Sequence, residues 1–300
     1  MDPELEIFTK LWYNGTSKSV WRDCGKIGVD GNRVQPTSYV ERGIMMDKIK
    51  YGPLTLELDE DAAEPGYRVT ACDKDAVEVE IPRRVGEYNV TAIGESAFED
   101  CAELLSVVLP EPNPETRWEE ACLSKIGEYA FSGCTSLVTV NIPDTVGNIS
   151  RGAFHGCTAL VAVTFDSDTY VGPYAFCGCR SLVSLPPLGS VSEGMLRDCT
   201  SLMSVTLTGC CTEIDEDAFE HCEALCQVVI PARVKRIEAL AFRSCRALTR
   251  VVFENSEGWY ANSCYHDREV KLDLTDPVRN ARWLSGMDFD DGVQAWYRKE

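Results

Sequence analysis

A chain of 300 residues with 48 acidic against 29 basic side chains and a net charge of −19 is large enough for one large domain or two ordinary ones. A hydrophobic fraction of 44% and a charged fraction of 26% belong to a folded globular chain and argue against disorder. The acidity excludes nucleic acid and anionic membrane surfaces as bulk partners, because phosphate binding needs concentrated Lys and Arg, and no apolar run reaches the roughly 18 residues of a spanning helix.

From the N-terminus, Met1 to Trp12 carries Asp2, Glu4, Glu6 and Lys10 and lacks the basic start and apolar stretch of a secretory signal. The expectation from this is a cytoplasmic protein. Residues 1–50 hold Trp12, Tyr13, Trp21, Ile27 and Ile44, enough to pack something, and are left as a segment of unknown role. In residues 51–76, Leu54 to Leu58 alternates apolar and polar side chains, and Tyr67 to Ala71 can pair with it across a turn at Asp59 to Gly66. This predicts an N-terminal β-cap.

Residues 77–253 repeat. The frame Ala-Phe-x-x-Cys recurs with Phe98 and Cys101, Phe131 and Cys134, Phe154 and Cys157, Phe176 and Cys179, Phe219 and Cys222, and Phe242 and Cys245. A degenerate copy, Met195-Leu196 to Cys199, fills the one gap. The steps between cysteines are 33, 23, 22, 20, 23 and 23 residues. Three residues after each cysteine stands a leucine, and three further on a valine or leucine. Such a unit cannot bury its apolar side chains alone; stacked units bury them as columns, which predicts a solenoid of about seven coils with short parallel strands. The Ala-Phe segments are too short for full helices and predict one helical or 3₁₀ turn at each corner. The fold class expected is therefore α/β: a repeat solenoid capped at both ends.

The unit Cys-x-x-Leu-x-x-Val-x-Ile-Pro followed by Ile-Gly-x-x-Ala-Phe resembles the BspA-like leucine-rich repeat family. Val77 to Pro82 and Val90 to Gly94 look like its opening half-repeat. The resemblance implies a right-handed solenoid used as an interaction surface. It also implies that such proteins are often found at the cell surface, some as adhesins for host or matrix proteins.

Alternation after each leucine predicts positions +1, +3 and +5 inward and +2 and +4 outward. The +1 column, Leu105, Val138, Val161, Val183, Met203, Cys226 and Thr249, is thereby assigned to the interior. The outward columns contain Ser106, Thr139, Asn141, Thr164, Ser204 and Thr206, a nearly uncharged face suited to a protein or peptide. The 33-residue step carries an insertion around Trp118, a second candidate contact. The phenylalanines and cysteines of the frame are expected to form a structural ladder. No CxxC zinc spacing, nucleophile elbow, phosphate loop or His-Glu-x-x-His motif occurs. His155 with Cys177, and Cys264 with His266, are the nearest approaches to a site. We therefore expect no catalytic residues, no metal and no cofactor.

Near the C-terminus of the repeats, shifting by 23 residues places Arg236 over Glu213, Arg243 over Glu220 and Arg246 over Glu223, with Arg197 under Glu220. This predicts a charge ladder between coils rather than a basic patch. Residues 254–300, with Trp259, Tyr260, Trp283, Phe289, Trp296 and Tyr297, read as a C-terminal cap. The function expected is a non-enzymatic scaffold for another protein. A surface adhesin and an enzyme with a site outside the repeats remain as alternatives.

Overall fold

The computed structural model describes residues 35–36, 48–59, 65–112, 122–263, 266–286 and 293–298. Two parallel sheets run along the repeat axis. The first is made of Glu78–Glu80, Ser106–Val108, Thr139–Asn141 and Ala162–Thr164, with Thr139 opposite Ala162 and Val107 opposite Val79. It thins to single bridges, Ala162 to Ser184 and Ser204 to Gln227, and resumes in Gln227–Ile230 and Arg250–Phe253. The second joins Tyr88–Ile93, Lys125–Ile126, Asn148–Ile149 and Tyr170–Val171, and resumes as Glu213–Ile214 beside Arg236–Glu238. Paired residues are those one repeat apart, so the sequence period is the strand register.

The thinning falls on the short coil. Pro186 and Pro187 have no N–H to give to the ladder of the first sheet; on the second-sheet side of the same coil the Ser192 hydroxyl donates to the Val171 carbonyl at 2.6 Å. The same coil has Leu196 in place of phenylalanine, fully buried.

Between the sheets lies one continuous core. Phe98, Phe131, Phe154 and Phe176 are stacked at centroid distances of 4.6, 5.1 and 5.4 Å, and Phe219 stacks on Phe242 at 5.0 Å. The planes of Phe131 and Phe154 differ by 3°. Cys101, Cys134, Cys157, Cys179, Cys199, Cys222 and Cys245 form a second buried column with free thiols. Each thiol from Cys134 onward donates to the carbonyl at the Phe position of the preceding coil, at 3.1 or 3.2 Å. That carbonyl also accepts the cysteine N–H of its own turn, as in Cys134 to Phe131 at 3.2 Å. A small apolar side chain carrying one donor is therefore what the position selects.

The corners differ from the expected helical or 3₁₀ turns. Each is a run of four-residue turns in which two residues four apart adopt positive φ, such as Tyr129 with Gly133 and Tyr174 with Gly178. Left-handed residues interrupt any helix. Their N–H groups donate to the next coil instead: Tyr129 to Arg151, Phe131 to Ala153 and Gly133 to His155, at 2.7 to 3.0 Å. Hydrogen bonds that a helix would spend on itself thus tie neighbouring coils together. Gly152 shows why glycine recurs here: its φ is +61° and a Cβ would stand 2.4 Å from the Tyr129 ring. Among the described residues the only α-helix is Pro277–Leu284.

At the N-terminal side, Gly66–Cys72 pairs in parallel with Tyr88–Ile93 and antiparallel with Leu54–Asp59, so the alternation at Leu54 to Leu58 is a hairpin strand. At the other side, Val293–Arg298 pairs antiparallel with Arg236–Glu238. Trp259 and Trp296 are buried against Phe253 at 5.1 and 6.3 Å. The helix Pro277–Leu284 begins at Asp276, whose carboxylate accepts the Val278 and Arg279 N–H groups. Buried Asn280 donates from Nδ2 to the carbonyls of Val251 and Leu274 at 3.2 and 3.0 Å, which fastens the helix to the last coil.

Candidate docking surface

The outer face of the first sheet carries the polar residues singled out in the sequence. Thr139, Asn141, Thr164, Ser204 and Thr206 are exposed and Ser106 is half-buried, all on one side of the strands. Asn141 links two rungs: its Nδ2 donates to Glu111 at 3.0 Å, and its Oδ1 accepts from the Thr164 hydroxyl. Trp118 lies outside the described residues, so only the sheet face has a geometry.

The +1 column is corrected. Leu105, Val138, Val161, Val183 and Met203 face outward, with exposures from 37% at Val183 to 52% at Met203; Val77 extends the line at 45%. Cys226 and Thr249, which continue it, are also exposed. The reason is local. The leucine closes a turn, donating its N–H to the cysteine carbonyl, as in Leu160 to Cys157 at 3.1 Å. The strand begins only at +2, so alternation starts there and +1 is a bend between turn and strand. Each +1 N–H donates to the +1 carbonyl of the preceding coil, as in Val161 to Val138 at 2.9 Å. The face is therefore a band of Ser and Thr bordered by an exposed apolar stripe. No residue of these two columns between Ser106 and Ser204 is charged. Nothing in the composition of the stripe signals exposure, because its residues are those of a core.

A second line runs along the corners through Glu99, Ser132, His155, Cys177, Arg197, Glu220 and Arg243, the residues after each phenylalanine or its substitute. Arg197 meets Glu220 at 3.0 Å and Asp217 at 2.8 Å; Arg243 stands 3.9 Å from Glu220, and Arg246 3.7 Å from Glu223. Glu220 is 4% exposed, so its partners matter more than those of surface acids. Arg236 departs from expectation: its backbone pairs with Glu213, but its guanidinium turns to Glu238 on its own strand. Burial raises the Cys177 thiol to about 11, with the nearby Asp198 carboxylate adding to the shift. Among the described residues no three His, Cys, Asp or Glu side chains gather as a metal site, and no helix is long and apolar enough to cross a membrane.

Stacked repeats, two parallel sheets and a buried leucine and phenylalanine core place the molecule among the leucine-rich repeat solenoids. More narrowly, the BspA type leucine rich repeat region matches residues 119–193 and 169–271 in six copies. The chain belongs to that family. No curated protein matches the chain. A leucine rich cell surface protein of Faecalibacterium prausnitzii A2-165 is 28% identical with a TM-score of 0.58, over 77% of this chain and 61% of that one. This chain thus spans less than two thirds of that protein. The T. pallidum leucine rich repeat protein is 26% identical with a TM-score of 0.55, over 65% of this chain and 88% of that one.

Proposed function

We propose that the protein is a non-enzymatic interaction scaffold whose outer sheet face docks another protein or peptide. The observation that carries this is the face itself: an exposed apolar stripe beside a column of mostly Ser and Thr rungs, neither column charged between Ser106 and Ser204 on a chain of net charge −19. Contiguous exposed apolar side chains on a soluble surface mark contact sites, and the stripe is more apolar than solvation alone requires. The small polar rungs supply hydroxyl and amide groups that pair with a partner's backbone without bulk. The test is a pull-down with wild type against Thr139→Glu/Thr164→Glu and Trp118→Ala. Loss of a reproducible bound protein with the first variant supports the face. Loss only with Trp118→Ala transfers the contact to the insertion.

A cell-surface setting is the second reading, favoured by the description of the Faecalibacterium prausnitzii protein as a cell surface protein. Buried free thiols along the core favour a reducing compartment instead. Fractionation of producing cells with an antibody to the native protein decides between them.

A further inference from the structure

The outer face carries a charge order along its axis. The +2 column reads Glu78, Ser106, Thr139, Ala162, Ser184, Ser204, Gln227, Arg250: acid at the first rung, base at the last, nothing charged between. Glu80 stands beside Glu78 on the same strand and the same face, and Asp75 and Glu103, two residues before Val77 and Leu105 in the chain, are exposed. Arg246, at the opposite end, is exposed but already stands 3.7 Å from Glu223, so Arg250 is the base that the column presents there. Among the described residues Glu78, Glu80 and Arg250 have no ion-pair partner. Arg84, also near the acidic end, turns away and donates to the carbonyls of Gly86 and Glu87.

We propose that this face, read above as a docking surface, takes a second copy of the same chain in antiparallel orientation. The proposal deepens the scaffold reading and rests on it. A two-fold axis makes a patch meet itself, so the patch must be self-complementary. This one is. Seven steps of about 4.8 Å separate Glu78 from Arg250, about 34 Å in all. Rotating one copy by two-fold symmetry about the midpoint sets Glu78 of each chain against Arg250 of the other. The midpoint falls between the fourth and fifth rungs, so Val161 meets Val183 of the second copy there and the apolar stripes run along each other. Val108 and Val229, 57% and 49% exposed in the +4 column, add apolar surface toward each end.

Charge complementarity also selects this occupant over others. A highly acidic chain repels its own copies through most of its surface; this face is where that repulsion is replaced by two opposite-charge contacts. A parallel arrangement would oppose Glu78 to Glu78 and Arg250 to Arg250. The face is narrow, about 10 Å from +1 to +4 at strand rise, which places the contact at the small end of specific interfaces. Association is therefore reversible and concentration-dependent.

The experiment is sedimentation velocity of the purified full chain over a wide concentration range, with four variants of exposed residues. Wild type is expected to pass from monomer to dimer. Val161→Glu, at the midpoint, is expected to stay monomeric throughout. Glu78→Arg and Arg250→Glu are each expected to weaken the dimer by roughly tenfold, less so at high salt. The double variant Glu78→Arg/Arg250→Glu restores the wild-type dimer, because each new pair is again opposite in charge. Circular dichroism melts matching wild type show that each variant is folded. A monomer at every concentration, a dimer untouched by Val161→Glu, or a double variant no better than the singles overturns the proposal. A monomer that still loses a captured protein on Thr139→Glu/Thr164→Glu overturns only the self-pairing and leaves the face as a site for a different partner.

Discussion

The thiol of Cys157 donates to the carbonyl oxygen of Phe131 in the preceding coil, 3.1 Å away. Both groups are fully buried, and the same contact recurs at six rungs. Cys157→Ala removes the donor and leaves a small void, so it is expected to lower stability by about 1–3 kcal/mol. Cys157→Val fills the void but not the hydrogen bond and should fall between the two. Urea unfolding midpoints check the order; a valine variant as stable as wild type would show the thiol to be a filler only.

Phe154 lies between Phe131 and Phe176, with stacked rings on both sides. Phe154→Ala is expected to cost about 3–5 kcal/mol. Phe154→Leu should cost clearly less, because Leu196 already occupies the same column and is fully buried there. Thermal melts of the two variants test this, and equal losses would mean that ring stacking, and not filling, sets the column.

Much of this architecture is legible in the residues, for one physical reason: in a solenoid, repetition along the chain is contact in space. The 23-residue period brings Phe131 to Phe154 and Glu220 to Arg243 without further information. What the period does not carry is where inward-outward alternation begins. Val161 is exposed because it precedes the strand, and its valine side chain gives no sign of that. Nor does composition reveal the corners, where non-glycine residues such as Tyr129 and Tyr174 adopt left-handed backbones at φ values of 52° and 55°. Those conformations are held by hydrogen bonds between coils, a property of the stack and not of the local segment. Arg236 shows the same limit at the surface, since a long side chain chooses among acids within reach.

Arg197 and Arg243 flank the same buried carboxylate unequally. Arg197 approaches Glu220 at 3.0 Å and also holds Asp217, whereas Arg243 is 3.9 Å away on a side chain 52% exposed. Arg197→Met is therefore expected to destabilise by about 1–3 kcal/mol, since it leaves Glu220 buried beside only Arg243 and His221, each 3.9 Å away. Arg243→Met should cost about 0–1 kcal/mol, as exposed pairs do. Double-mutant cycles with Glu220→Gln give the two couplings; a larger value for Arg243 would contradict the geometry.

Burial holds the column thiols from Cys134 onward in their neutral form. It pushes Cys134 and Cys245 from an ordinary 9.0 up to about 12, and Cys157, Cys179 and Cys222 well above 9.0. Once unfolded, the same thiols ionise near 9.0. Above that pH the unfolded chain loses protons that the folded chain keeps, so unfolding is favoured as pH rises. The stabilisation is complete below about pH 9 and is lost progressively between pH 9 and 12. Melting temperatures across that range are expected to fall, and to fall less steeply in Cys134→Ala, which has one buried thiol fewer. Alkylation at pH 8 followed by site mapping gives a second check. The exposed Cys210 and Cys226 are expected to react in the native protein, and the column cysteines from Cys134 onward only after denaturation, because the thiolate is the reacting species. Equal labelling of Cys157 and Cys226 under native conditions would mean that the coils open far more readily than a closed core allows.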